Sequence, residues 1–243
     1  GLQEGVDYTY IKGSLKYKSN TVRTYPEYER LVQDGQISIN LIFGMDDSDL
    51  DWNPMQSNDL NAANYIRFRS NRLNQGYKSK VLSNNEIADL IGESYDTPYI
   101  EELTKDTPKG TVKIQIYFGG IGDILFSRYF ALSLKTAAVM AYNGHSGLGK
   151  YLNIKEIERS AGLKIEMPKD QYQIVFWNGC SSFPYYNQMY FDLKVTPQDP
   201  TGTKNMDAIA NGLSTFFTAI EPSVSTLVNA VDTWAATGRR ISY

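Results

Sequence analysis

The sequence is poor in the side chains that most often carry nucleophilic and metal chemistry, with one cysteine and one histidine among 243 residues. One cysteine cannot form an internal disulfide, and this pair does not supply the ligands of a zinc site. No apolar run reaches membrane-spanning length, so we expect no membrane span. The net charge of −3 gives no reason to expect nucleic acid as a partner.

Several catalytic motifs are incomplete. The segment at residues 144–147 is similar to the nucleophile elbow of serine hydrolases, but that motif needs glycine where Leu148 stands and a histidine later in the chain. A papain-like enzyme needs its histidine downstream of the cysteine, whereas His145 precedes Cys180. No Walker loop is present, and the glycines at 119–122 lack the dinucleotide-binding pattern. We therefore expect no cofactor.

Apolar runs alternate with amphipathic segments, which predicts an α/β fold with a mostly parallel central sheet and helices on both faces. We expect an α/β domain over residues 37–243, preceded by a polar, tyrosine-rich extension over residues 1–36 with a hairpin at 8–17. A helix and then a charged loop are predicted over 84–110, and an irregular aromatic stretch over 183–191. Two closing helices are predicted over 209–220 and 227–234, with Pro222 between them.

The two rare side chains follow two of the predicted strands at matching places. The apolar run at 137–142 leads into Asn143, Gly144 and His145, and the run at 172–177 leads into Asn178, Gly179 and Cys180. Neighbouring parallel strands would bring His145 and Cys180 together at their carboxyl ends, where open α/β sheets place their ligands. The spacing therefore predicts a Cys–His pair at that edge.

A strand that ends in Gly-His, followed by a strand that ends in a small residue plus Cys, resembles the caspase-like cysteine peptidases. That group includes caspases, metacaspases, legumains, clostripains and gingipains. The order of elements over residues 37–235 agrees with the resemblance. The sequence departs from the group at Ser146, where most members have glycine, and at Gly179, where most have alanine or another small residue.

The resemblance implies a caspase-like fold and a cysteine endopeptidase that forms an acyl-enzyme with a protein or peptide substrate. Cys180 would be the nucleophile, and His145 would protonate the leaving amine. The backbone N–H groups of Cys180 and of Ser146 or Gly147 would form the oxyanion hole. Two alternatives remain: a catalytically inactive binding module with the same fold, and an acyl-transfer enzyme that uses the dyad on another substrate.

An acidic cluster, Asp46, Asp47, Asp49 and Asp51, follows the first predicted strand. Its spacing is similar to a calcium loop, but Trp52 and Asn58 stand where that loop has glycine and glutamate, so we expect a solvated loop and no metal. The loop should lie at the edge that carries the dyad, which makes Asp47 and Asp49 candidate substrate contacts.

Substrate preference is predicted from the same edge. The resemblance implies that Asn178, two residues before the cysteine, lines the pocket for the side chain that precedes the cut. We favour a basic preference, with charge from Asp47 or Asp49, over a neutral one set by Asn178 alone. Phe183, Tyr185 and Tyr186 either line a subsite or pack internally. The 18 tyrosines, and a first residue that is not methionine, suggest a secreted or periplasmic protein.

Overall fold

A sheet of seven strands runs through the described part of the chain, which comprises residues 1–10, 13–14, 22–47, 49–92 and 99–243 of a computed structural model. The order across the sheet is β2-β3-β4-β1-β5-β6-β7. The strands are β1 (Gln36–Gly44), β2 (Lys78–Val81), β3 (Tyr99–Thr107), β4 (Gly110–Gly119), β5 (Val139–Asn143), β6 (Gln173–Asn178) and β7 (Met206–Ala210).

Five of these strands are parallel. β1 lies between β4 and β5, and the parallel pairing continues from β5 through β6 to β7. β3 is antiparallel to β4, and β2 is antiparallel to β3. Strands covered on both faces need apolar side chains at successive positions, which explains the unbroken apolar runs of β5 and β6. The predicted α/β fold with a mostly parallel sheet is confirmed.

Helices cover both faces of the sheet. The helices α1 (Leu60–Asn74) and α6 (Phe217–Thr237) pack on one core. The opposite core is covered by α2 (Asn84–Ile91), α3 (Ile124–Thr136), α4 (Ile154–Ala161) and α5 (Ser182–Lys194). Successive side chains of β6 alternate between the two cores, with Phe176 in the first and Trp177 in the second. This layout agrees with the caspase-like fold that the resemblance implied.

The charged loop predicted before Gly110 is wrong, because β3 occupies most of it. Ile100 and Leu103 are fully buried, as a strand with covered faces requires. Glu101 is also fully buried, and its carboxylate accepts hydrogen bonds from the Arg69 guanidinium at 2.8 and 3.0 Å. Because Glu101 is a charged residue at a core position, the sequence pattern here is typical of a polar loop and does not predict the strand.

The aromatic stretch after Cys180 is helical, not irregular, since it forms α5. Pro184 falls in the first turn of this helix, where backbone N–H groups have no intrahelical partner and a missing one costs little. Tyr186 and Tyr190 lie four residues apart on the buried face, as helical periodicity requires. The aromatic residues therefore serve in large part as core.

The first of the two predicted closing helices is wrong. Residues 206–210 form β7, a loop follows, and a single helix, α6, closes the fold. Leu213 and Phe216 have helical spacing but lie exposed on that loop. Pro222 lies within α6, and the carbonyl that it cannot bond belongs to Thr218, which is exposed to solvent.

Part of the predicted N-terminal extension packs on the domain. Tyr28 and Leu31 are fully buried, and the Tyr28 ring stacks on Trp234 with 5.5 Å between centroids. Half of the hairpin predicted at 8–17 falls outside the described residues, since 11–12 and 15–17 are not among them. Among the helices that the structure describes, none is long and apolar enough to cross a membrane.

Candidate active site

The candidate dyad residues follow two strands that lie side by side. β5 and β6 are parallel neighbours, and Asn143 is in register with Asn178. The Gly144 N–H donates to the Asn178 carbonyl at 3.3 Å. A Cβ atom on Gly179 would lie 2.9 Å from the Gly144 oxygen, so the two strand-end turns are in contact. His145 and Cys180 therefore occupy equivalent positions at one edge of the sheet.

The His145 ring is held by the acidic loop. Its Nε2 lies 2.5 Å from Asp46 Oδ1, and its ring is nearly perpendicular to the Phe217 ring, with 5.2 Å between centroids. The Tyr142 hydroxyl donates to the His145 carbonyl at 2.5 Å, which fixes the backbone. A carboxylate on Nε2 favours a proton at that nitrogen and leaves Nδ1 for proton transfer.

Cys180 is a partly exposed residue, and its thiol lies against the loop that follows β7. The Thr215 N–H donates to Sγ at 3.3 Å, and the thiol donates to the Thr215 carbonyl at 3.6 Å. Ser181, the next residue, has left-handed backbone with φ of 48°, and its N–H donates to the Leu213 carbonyl at 2.9 Å. The turn after β6 is thus fastened to the β7 loop.

Three asparagines, Asn143, Asn178 and Asn211, form a network beneath this edge. The Asn211 side-chain amide donates to Asn178 Oδ1 at 3.1 Å, and the Asn178 amide donates to Asn143 Oδ1 at 3.0 Å. The Asn143 amide in turn donates to the Ile42 carbonyl on β1 at 3.1 Å. This asparagine network ties β1, β5, β6 and the loop after β7 together where the site residues begin.

The sequence contains a repeated motif that marks this network, although the helical spacing of apolar residues around Asn211 predicted a helix there. Asn143, Asn178 and Asn211 are each followed by glycine, and each has serine three positions on. The third copy follows β7 but lies in the segment predicted as a helix, so Asn211 was missed. A search for a repeated strand-end motif would have found it.

Asn178 does not reach the surface. It is 1% exposed, and its amide also donates to the Ile220 carbonyl at 3.4 Å. This burial does not favour the specificity role predicted for Asn178, because a substrate could contact the amide only by breaking the network.

The acidic loop lies at the dyad edge, as the sequence predicts, but Asp46 is the residue that contacts the histidine. The N–H groups of Asp46 and Asp47 donate to Asp59 Oδ2 at 2.7 and 2.9 Å. Asp59 also caps α1, which places the loop firmly. Asp47 and Asp49 are exposed, and Asp47 Oδ1 accepts from the Asp49 N–H at 3.0 Å. Within the described ranges, no group of three or more histidine, cysteine, aspartate or glutamate side chains is placed to hold a metal ion.

The turn that carries the other predicted oxyanion donors is sharply bent. Gly147, Leu148 and Gly149 have φ values of 56°, 54° and 86°, so three successive residues are left-handed. The Ser146 carbonyl accepts from the Tyr186 hydroxyl at 2.8 Å and from the Gly149 N–H at 3.0 Å. These contacts fix the turn, which gives its backbone N–H groups defined directions.

Two buried tyrosines donate hydrogen bonds to the backbone at His145 and Ser146. Burial raises the pKa of Tyr142 and of Tyr186 above the ordinary value of 10.0. Both hydroxyls are therefore protonated at neutral pH and serve as donors to the carbonyls of His145 and Ser146. These two hydrogen bonds thus keep the backbone of the turn in place.

No protein-family model and no curated protein matches the sequence. The class is therefore defined by fold and geometry: an α/β protein with a mostly parallel sheet that presents a histidine and a cysteine on neighbouring strand ends. The resemblance to caspase-like peptidases rests on this layout and on the two strand-end segments.

Proposed function

We propose that the protein is a caspase-like cysteine endopeptidase in which Cys180 is the nucleophile and His145 the general acid. The observation that carries the proposal is the register of Asn143 with Asn178 on parallel neighbouring strands. This register gives the two rare side chains equivalent positions at the edge where α/β folds place their ligands. Two residues with purely structural roles would not need to occupy equivalent positions on neighbouring strands.

The reaction would proceed through a thioester. The Cys180 thiolate attacks the scissile carbonyl carbon, and the oxyanion accepts hydrogen bonds from the N–H groups of Cys180 and of Ser146 or Gly147. As the C–N bond breaks, His145 gives its Nδ1 proton to the leaving amine. Water then attacks the thioester, passes a proton to His145, and releases the carboxylic acid and the thiolate.

Asp46 has a positioning role in this scheme. Its carboxylate lies on Nε2, so it orients the ring and stabilises the imidazolium that forms when His145 takes the thiol proton. Thr215 also contributes, since its N–H donates to Sγ and this contact positions the sulfur. The weaker contact from the thiol to the Thr215 carbonyl is lost when the proton leaves.

A catalytically inactive binding module is the second candidate, and one observation favours it. The thiol is hydrogen-bonded to Thr215, and the imidazole is paired with Asp46. A structural cysteine and a structural histidine would be satisfied in the same manner.

Alkylation of Cys180 separates the two candidates. We expect iodoacetamide to label Cys180 faster than a free thiol at pH 6, and we expect His145→Ala to slow labelling. Cys180→Ala should abolish cleavage of a denatured-protein or peptide library while leaving the midpoint of thermal unfolding nearly unchanged. Lys150→Ala, which changes an exposed residue in the turn after His145, is the matched control. Cys180 that resists labelling until the protein unfolds would support the binding module.

A further inference from the structure

We propose that the candidate peptidase prefers a large apolar side chain on the residue that supplies the scissile carbonyl. The inference rests on the proposed function and names the substrate class of that site. Leucine or phenylalanine at this position would fit the loops that surround Cys180, whereas the sequence alone favoured a basic residue.

Four large apolar side chains on these loops and at the start of α5 are mostly exposed. They form an apolar rim, defined as Leu148 (87% exposed), Phe183 (60%), Leu213 (80%) and Phe216 (75%). Single exposed apolar side chains are common on protein surfaces and carry no meaning. Several on adjacent loops beside one candidate nucleophile indicate a binding surface.

Backbone contacts bring these residues to the cysteine. The Ser181 N–H donates to the Leu213 carbonyl at 2.9 Å, so Leu213 stands beside the residue that follows the nucleophile. Phe216 follows Thr215, whose N–H donates to Sγ at 3.3 Å. The Phe183 N–H donates to the Asn211 carbonyl at 3.1 Å, which joins the start of α5 to the same loop.

Leu148 approaches from the histidine side. It lies in the left-handed turn between Gly147 and Gly149, and a Cβ atom on Gly149 would lie 2.9 Å from the Tyr185 ring. This contact packs the turn on α5, the helix that also carries Phe183. The apolar rim therefore spans both sides of the edge where the scissile bond would lie.

The carboxylates at this edge do not form a pocket beside Cys180 that would accept a basic substrate side chain. The Asp46 carboxylate is paired with His145, and Asp47 Oδ1 accepts from the Asp49 N–H. Both belong to the loop after β1, on the histidine side. The loop that contacts the thiol presents leucine and phenylalanine, and Asn178 is buried beneath it. Burial of a substrate leucine against these side chains would be favourable without any countercharge.

Peptidyl acyloxymethyl ketones that differ only in the residue before the reactive group test this inference. Alkylation of Cys180 is followed by intact mass spectrometry. We expect the leucine and phenylalanine probes to react at least tenfold faster than the arginine and aspartate probes. Leu213→Ser and Phe216→Ser should each slow the leucine probe about tenfold without changing the rate with iodoacetamide. Leu163→Ser, at an exposed position after α4, is the control and should change neither rate.

The outcomes separate this inference from the proposed function. Fastest reaction with the arginine or aspartate probe would overturn the apolar preference and leave the peptidase proposal standing. If the rim variants slow alkylation by iodoacetamide as much as they slow the leucine probe, the variants disturb the thiol itself. That outcome would also overturn the apolar preference. No reaction with any peptidyl probe, while iodoacetamide labels Cys180, would overturn the peptidase proposal and the preference together.

Discussion

Asn143 is the member of the asparagine network whose replacement best tests how the candidate site is held. Its side chain is fully buried, donates to the Ile42 carbonyl and accepts from the Asn178 amide. Asn143→Leu keeps the branched shape and the number of side-chain heavy atoms, but it removes both hydrogen bonds and enlarges the side chain. The Asn178 amide then retains one long contact, to the Ile220 carbonyl at 3.4 Å.

The expected loss of stability follows from these contacts. A buried donor that loses its partner costs about 1–3 kcal/mol, and the lost bond to Ile42 adds about 1 kcal/mol. We therefore expect Asn143→Leu to lower the free energy of unfolding by roughly 2–4 kcal/mol through the lost hydrogen bonds, and the larger leucine side chain adds to this loss. For a chain of this size, the midpoint of thermal unfolding should fall by about 5–15 °C. Asn85→Leu, at an exposed position of α2, should change it by less than about 2 °C.

Circular dichroism during heating and urea titration measures both effects. The double variant Asn143→Leu with Asn178→Leu should lose less than the sum of the single losses, because two of the polar groups that the single variants orphan are removed together. A single variant as stable as the Asn85→Leu control would refute the reasoning, since it would mean that the asparagine network contributes nothing that a leucine cannot replace.

Three further predictions concern charge. Asp46→Asn should lower kcat/KM for peptide cleavage at least tenfold while leaving thermal stability within about 1 kcal/mol, and unchanged kinetics would remove Asp46 from the site. Tyr117, Tyr142 and Tyr190 have pKa values raised by burial, so their contribution to stability is present below pH 10 and is lost above it. Together they should cost at most about 3 kcal/mol between pH 10 and 11. The full phenolate absorbance of all 18 tyrosines should appear only on unfolding, and full absorbance in a chain that retains native circular dichroism would contradict this. Burial lowers the pKa of Lys194 to about 8, so the unfolded chain binds the extra proton between pH 8 and 10.5 and stability should rise with pH from 8 to 10. Lys194→Met should remove that rise in urea titrations, and a rise that persists would place its source elsewhere.

The parts of the fold that the sequence predicts well are those with two covered faces. β1, β5 and β6 each need apolar side chains at successive positions, so composition alone marks them. The common edge of His145 and Cys180 then follows from parallel pairing. β7 has one partner strand and five residues, too few for a clear alternation. The spacing from Ile209 to Ile220 therefore mimicked a helix.

Contacts that depend on the path of a loop could not be predicted. Asp46, Asp47 and Asp49 are alike in type and near in sequence, and Asp46 reaches His145 because Asp59 holds the start of the loop. Asn178 likewise accepts a hydrogen bond from Asn211, which directly follows β7, a strand that the sequence pattern does not predict. Sequence patterns locate strand ends, but the side chains that meet there are selected by hydrogen bonds between distant segments.

Direct trapping of the acyl-enzyme tests the central claim that Cys180 and His145 act together as a catalytic dyad. Peptide esters with leucine before the ester bond would be mixed with the protein, quenched in acid and examined by intact mass spectrometry and peptide mapping. The account predicts a thioester on Cys180 that hydroxylamine removes, and a rate of formation that His145→Ala lowers at least a hundredfold. A protein that forms no adduct on Cys180, or that forms it equally fast without His145, would contradict the account.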